Sequence, residues 1–163
     1  MKTALVVIDV QKGFAVEKAS NLPEKIVEHL KNNKYDYALF TISHNNPGSN
    51  FRNILNWEGG SETPFIDPHP LIEPLLTSHN TFHKTTYSAF KATGLLEYIE
   101  RNNVKKIYLC GINTDACVLA SAFDAFDLGY DFEIIDELSS ASSPRQDYVD
   151  AANIIIKRNL RKK

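Results

Sequence analysis

The chain has 163 residues, enough for one domain and few for two. Hydrophobic residues make up 43% and charged residues 23%, with a formal charge of −2, so no broad cationic field exists and nucleic acid is excluded as a main partner. Two cysteines cannot build a disulfide framework, and the apolar run from Ala4 to Ile8 is broken by Asp9 and Gln11, which excludes a membrane span and a secretory core. The expectation is a cytoplasmic protein of one domain over residues 1–163.

Thr3 to Asp9 is a β-branched apolar run without alternation, the pattern of a strand covered on both faces. Asn21 to Lys34 follows, with Pro23 near its start and Ile26, Val27 and Leu30 at helical spacing. Tyr37 to Ser43 reads as a second strand, Thr81 to Lys84 as a third, Lys106 to Cys110 as a fourth ending at Gly111, and Phe132 to Asp136 as a fifth. Between them, Leu95, Leu96 and Ile99 form one helical stripe, and Val118, Leu119, Ala122, Phe123 and Phe126 form another, closed by Gly129. A last helix starts near Arg145, and its terminal cations, Lys157, Arg158, Arg161, Lys162 and Lys163, suit a solvated helix end. Strand and helix alternate throughout, which predicts an α/β fold with a mostly parallel sheet.

One segment does not fit that rhythm. His44 to Pro70 is rich in Asn, Gly and Pro and holds the only Trp. Loops of this length in a compact domain are usually functional or disordered, and Phe51, Trp57 and Phe65 supply anchors that argue against disorder. A pocket wall or lid is expected here.

In an open α/β sheet, ligands bind beyond the carboxyl ends of the strands. Those ends carry Asp9, Gln11 and Phe14 after strand one, and Ser43 and His44 after strand two. Strand three contributes Lys84 and Tyr87, and strand four contributes Asn113, Asp115 and Cys117. A carboxylate, an ammonium and a thiol on one edge make a coherent catalytic set. A helix start and a nearby cation favour the thiolate, Asp9 can carry its proton, and peptide N–H groups of the same turn can hold an oxyanion. Each residue also has an ordinary reading: Cys117 as core filling, Asp9 as a turn cap, Lys84 as a surface lysine. Cys110 reads as core, and Asp115 either caps the helix or orients the catalytic set. No Gly-x-Gly-x-x-Gly follows Asp9, so a dinucleotide site is excluded.

The segments Val7 to Phe14, Lys84 to Phe90 and Gly111 to Val118 resemble, in that order, the isochorismatase-like cysteine hydrolases, a superfamily that includes nicotinamidase and N-carbamoylsarcosine amidase. The resemblance implies a three-layer α/β/α, Rossmann-like domain with a parallel six-stranded sheet, of which the residues themselves supply five strands. It implies Asp9, Lys84 and Cys117 as a catalytic triad and a non-proline cis peptide at Ile112–Asn113. The backbone N–H groups of Asn113 and Cys117 would form the oxyanion hole. Gln11, Phe14, His44, Trp57 and Tyr87 are expected to bind the substrate.

The departures from the pattern are informative. Nicotinamidases carry Asp-x-His and a further His after strand two, which hold a metal; here the matching stretch is Ser43-His44-Asn45. One His without a carboxylate is a poor zinc site, and His69, His79 and His83 have no ligand spacing, so neither metal nor other cofactor is expected. Cys117 points to the amide-hydrolysing branch. The expected activity is cleavage of an amide, ureido or related C–N bond of a small molecule, in a chain that forms homo-oligomers as the family often does. The alternatives are a non-catalytic binding protein on the same scaffold and a metal-assisted nicotinamidase-like amidase.

Overall fold

The computed structural model describes residues 1–162; Lys163, the last of the terminal cations, lies outside the described residues. Five strands, β1 (Lys2–Ile8), β2 (Tyr37–Ser43), β3 (Thr81–Lys84), β4 (Val104–Ile112) and β5 (Asp131–Ser140), form one sheet in the order β3-β2-β1-β4-β5. Every pairing is parallel. The helices are α1 (Leu22–Asn32), the single turn α2 (Asn50–Asn53), α3 (Leu95–Arg101), α4 (Leu119–Asp127) and α5 (Gln146–Asn159).

The unbroken apolar run of β1 follows from cover on both faces. Ala4, Val6 and Ile8 pack with Leu95 and Ile99 of α3, Ala122 and Ala125 of α4, and Ile156 of α5. Leu5 and Val7, pointing the other way, pack with Leu22 and Ile26 of α1 and with Ile72. Each such aliphatic side chain taken out of water contributes roughly 1.5–3 kcal/mol. Cys110 is fully buried in the second of these layers, a core residue as its apolar strand implied.

Element ends differ from the sequence expectation where a polar side chain or a glycine intervenes. The first helix stops at Asn32, short of Lys34, because Asn33 turns extended and its amide donates back to the His29 carbonyl. Gly129 takes φ +76 and bonds Phe126, capping α4 as predicted. The terminal cations do more than meet a helix dipole, since Arg161 pairs with Asp136 and Lys162 with Asp131, tying the chain beyond α5 to β5.

The sheet also decides where a site can form. From β1 the chain winds outward to β2 and β3, then returns to β4 on the other side of β1. The crevice lies where that order reverses, beyond the ends of β1 and β4. There, Gly111 sits opposite Ile8 with φ +124, and a Cβ at this position would stand 2.2 Å from the Ile8 carbonyl oxygen. The close approach also coincides with a register shift between β4 and β5, which carries β5 on to Ser140. Gly111→Ala is expected to cost on the order of 3 kcal/mol, through backbone collision and a left-handed conformation together. Thermal unfolding reads it directly, at roughly 2–4 °C per kcal/mol for a chain of this size; an unchanged midpoint contradicts the close-approach argument.

Candidate active site

Three strand ends deliver the reactive groups. Asp9 follows β1 and leaves the strand with φ +53, its N–H still bonded to the Thr41 carbonyl at 3.2 Å. A left-handed non-glycine residue costs about 1–3 kcal/mol and persists where its surroundings hold it. Here the Thr41 hydroxyl donates to Asp9 Oδ1 at 2.7 Å, and Lys84 Nζ stands 2.7 Å from Oδ2. Both ion-pair residues are buried, with exposures of 1% and 3%.

Lys84 ends β3, and its ammonium has three protons and three acceptors. These are the Asp9 carboxylate, the Thr86 carbonyl at 2.7 Å and the Cys117 sulfur at 3.6 Å. Burial pulls the Lys84 pKa down, but the Asp9 charge and the Cys117 sulfur outweigh it, and the net shift is upward. The lysine therefore stays cationic and is not available as a proton donor near neutrality.

Cys117 sits in a π-helical turn, Thr114–Val118, that precedes α4. Such wide turns interrupt α-helices at functional sites. The N–H groups of Ala116 and Val118 both donate to the Asn113 carbonyl, at 3.1 and 3.0 Å. Ser121 fixes the turn from below, donating to the Cys117 carbonyl at 2.6 Å and accepting from Ala89 N–H at 2.8 Å. The Ile112–Asn113 peptide is cis, and the Asn113 N–H makes no hydrogen bond among the described residues. The Asn113 side chain accepts from Ser142 N–H at 2.6 Å, linking the turn to the segment after β5.

The electrostatics revise one expectation. A helix start and Lys84 were to favour the thiolate, yet burial, then the Asp9 charge, push the Cys117 thiol from 9.0 up to about 12, with Lys84 opposing. In the resting site the proton therefore stays on sulfur. The Asp9 carboxylate, paired with Lys84 through Oδ2, also stands against the thiol.

A cavity of about 440 Å³ opens above Cys117. Phe14, Trp57 and Tyr87 line it as expected, as do Asn113 and Cys117. Phe51 and Phe65, singled out in the sequence as anchors of the long loop, line it too, with Leu55, Val16 and Ser142. Val16 and Ser142 lie outside every motif and carry no chemical signature that a sequence could flag. Gly13 is required for the wall, since a Cβ there would stand 2.2 Å from the Phe65 ring.

Two expected substrate residues stand elsewhere. Gln11 is fully buried, its amide donating to the carbonyls of Ser43 and Ile66 while its oxygen accepts from Ser43 N–H. It is a strut between β2 and the loop, with no polar atom left for a ligand. His44 turns to His83, with Nε2 2.7 Å from Nδ1, and lies outside the cavity lining. Asp115 is exposed and makes no side-chain hydrogen bond among the described residues, so it neither caps the helix nor orients the triad by contact.

A metal finds no matching donors at this end of the sheet. The Asn45 amide donates to the carbonyls of Trp57 and Gly59, both at 2.7 Å, and its oxygen accepts from Ser49. Among the described residues no group of three or more His, Cys, Asp and Glu is placed to hold an ion. The donor set at this end of the sheet therefore does not fit the nicotinamidase type of metal site.

A thiol, a carboxylate and an ammonium thus share the switch point of a parallel α/β sheet. Residues 3–158 match the Isochorismatase domain, and the chain belongs to that family. It is 27% identical over 177 residues to a probable inactive nicotinamidase of Arabidopsis thaliana, covering 97% of this chain and 89% of that protein. An isochorismatase-like hydrolase from Alkaliphilus metalliredigens superposes with a TM-score of 0.82 at 17% identity, covering 97% of this chain and 92% of that one. The pyrazinamidase/nicotinamidase of Streptococcus mutans superposes with a TM-score of 0.79 at 25% identity over 98% and 97% of the two chains.

The shifted groups fix the sign of the alkaline response. Lys84 and Cys117 both hold their protons more tightly in the folded chain than ordinary side chains do. Their contribution is complete below about pH 9 and is lost as pH rises toward their folded values. Melting temperature is expected to fall steadily above pH 9, and less steeply in Cys117→Ala; equal slopes contradict the assignment.

Proposed function

We propose that the protein is a cysteine hydrolase that cleaves an amide, ureido or related C–N bond of a small molecule through a thioester. The observation that carries this reading is the meeting of Asp9, Lys84 and Cys117 within hydrogen-bonding reach beneath one pocket. Cys117 attacks the carbonyl carbon as its proton passes to Asp9. The oxyanion forms beside the N–H groups of Asn113 and Cys117, where each donor is worth about 2.7–4 kcal/mol of transition-state stabilisation. Asp9 returns the proton to the departing amine, and the C–N bond breaks. A water deprotonated by the same carboxylate then attacks the thioester, releasing the acid and restoring the thiol. Lys84 keeps Asp9 ionised and balances its charge; the site is neutral overall before and after turnover.

A non-catalytic binding protein is the second reading, favoured by a thiol that rests protonated. Turnover separates the two. Exposed Phe126 of α4 and Ile154 of α5 supply apolar surface in keeping with a homo-oligomer.

Ammonia or amine release from a panel of small amides and ureides is the direct assay. Cys117→Ala is expected to abolish release, and Asp9→Asn to lower kcat by about 10²–10⁴-fold. Mass spectrometry of quenched wild-type protein is expected to show an acyl adduct on Cys117; full turnover by Cys117→Ala rejects the mechanism. Chelator treatment is expected to leave the rate unchanged, and a chelator-sensitive rate reinstates a metal-assisted route.

A further inference from the structure

We propose that the Asn113 side chain positions an oxyanion donor: by accepting the Ser142 N–H, it holds the Asn113 peptide so that its own N–H faces the reacting carbonyl oxygen. The inference rests on the hydrolase reading above and adds a positioning role to it. Asn113 is pinned at two points. Its carbonyl accepts from the N–H groups of Ala116 and Val118, at 3.1 and 3.0 Å, and its Oδ1 accepts from Ser142 N–H at 2.6 Å. The residue lines the cavity together with Cys117, and its own N–H is left without a partner among the described residues. An oxyanion donor works only within about 2.7–3.1 Å of the place where the charge will form, so a small rotation of the peptide forfeits much of its effect.

The second anchor comes from another strand, so it braces the turn from outside. β5 pairs Ile134 with Leu109, bulges, and rejoins β4 at Ser139 and Ser140, opposite Gly111 and Ile112. The Ser139 hydroxyl closes the bulge by donating to the Ile135 carbonyl at 3.0 Å. Ala141, the next residue after the strand, is buried at 1% exposure. Ser142 therefore reaches Asn113 on a segment that is itself held, and the bond spans 29 residues of sequence. The acceptor is a neutral amide, so it adds no negative charge where an oxyanion is to form, as a carboxylate in its place would.

Two reagents for the same thiol separate this role from general support of the site, and neither requires the natural substrate. With 4-nitrophenyl acetate, Cys117 Sγ bonds to the acetyl carbon as its proton passes to Asp9, an oxyanion forms, and 4-nitrophenolate leaves. With iodoacetamide, Sγ bonds to the methylene carbon, iodide leaves, and no oxyanion forms. Mass spectrometry locates each adduct, with Cys117→Ala as the blank. Asn113→Ala is expected to slow acylation at least about tenfold, a part of the roughly 10²–10³-fold that losing a whole oxyanion donor costs, while alkylation stays within about twofold of wild type. Ser142→Pro, which removes the donated N–H and keeps the Asn113 amide, is expected to show the same split. Acylation at the wild-type rate in either variant overturns the proposal and leaves the hydrolase reading intact. A parallel fall of both reactions in either variant overturns it too, since the bond would then support the thiol or the fold at large. No acylation of Cys117 in the wild-type protein overturns the hydrolase reading, and the proposal with it.

Discussion

A carboxylate and an ammonium 2.7 Å apart, both almost wholly out of water, form the constraint around which the molecule is arranged. Removing either partner would leave an unpaired buried charge, at a cost of about 3–5 kcal/mol. The pair can exist only where β1 and β3 deliver Asp9 and Lys84 to the same edge, with β2 between them supplying Thr41. That geometry fixes the left-handed turn at Asp9 and the placement of Thr86. It also sets the electrostatic surroundings of the sulfur. Burial, then the Asp9 charge, raise the Cys117 thiol, and Lys84 opposes them only in part, so the sulfur keeps its proton.

The second determinant is the route by which the chain brings Cys117 to that pair. Gly111 allows β4 to pass Ile8 at a distance no side chain would tolerate, and the cis peptide and wide turn follow at once. Ser121 then braces the turn against the segment after β3. Chemistry and support are thus drawn from separate strands and joined through single hydrogen bonds. The wall of the pocket is built differently. The segment between β2 and β3 contains little regular structure, yet buried amides of Gln11 and Asn45 bond its carbonyls and hold its aromatics at the cavity. Those two side chains perform for the loop what a sheet performs for the strands.

Much of the fold was legible because its signals are local and periodic. Unalternated apolar runs revealed strands covered on both faces, and spacing of three and four revealed α1, α3 and α4. The candidate triad was legible for another reason: strand ends can be counted along a sequence, and Asp9, Lys84 and Cys117 each follow one. Side-chain direction was not legible. Gln11 and His44 also follow strand ends, yet one turned inward as a strut and the other paired with His83. Nothing in either residue type distinguishes those fates from ligand binding, because the partners are 32 and 39 residues away.

By itself, then, the sequence determined the class of fold, the order of its elements and the three candidate reactive side chains, since each depends on neighbours a few residues apart or on a motif. Only the tertiary structure decided the protonation of the sulfur and the membership of the aromatic wall around the cavity. These depend on which distant atoms share a small volume from which water is excluded, and in such a volume burial and a single neighbouring charge outweigh the ordinary character of a side chain.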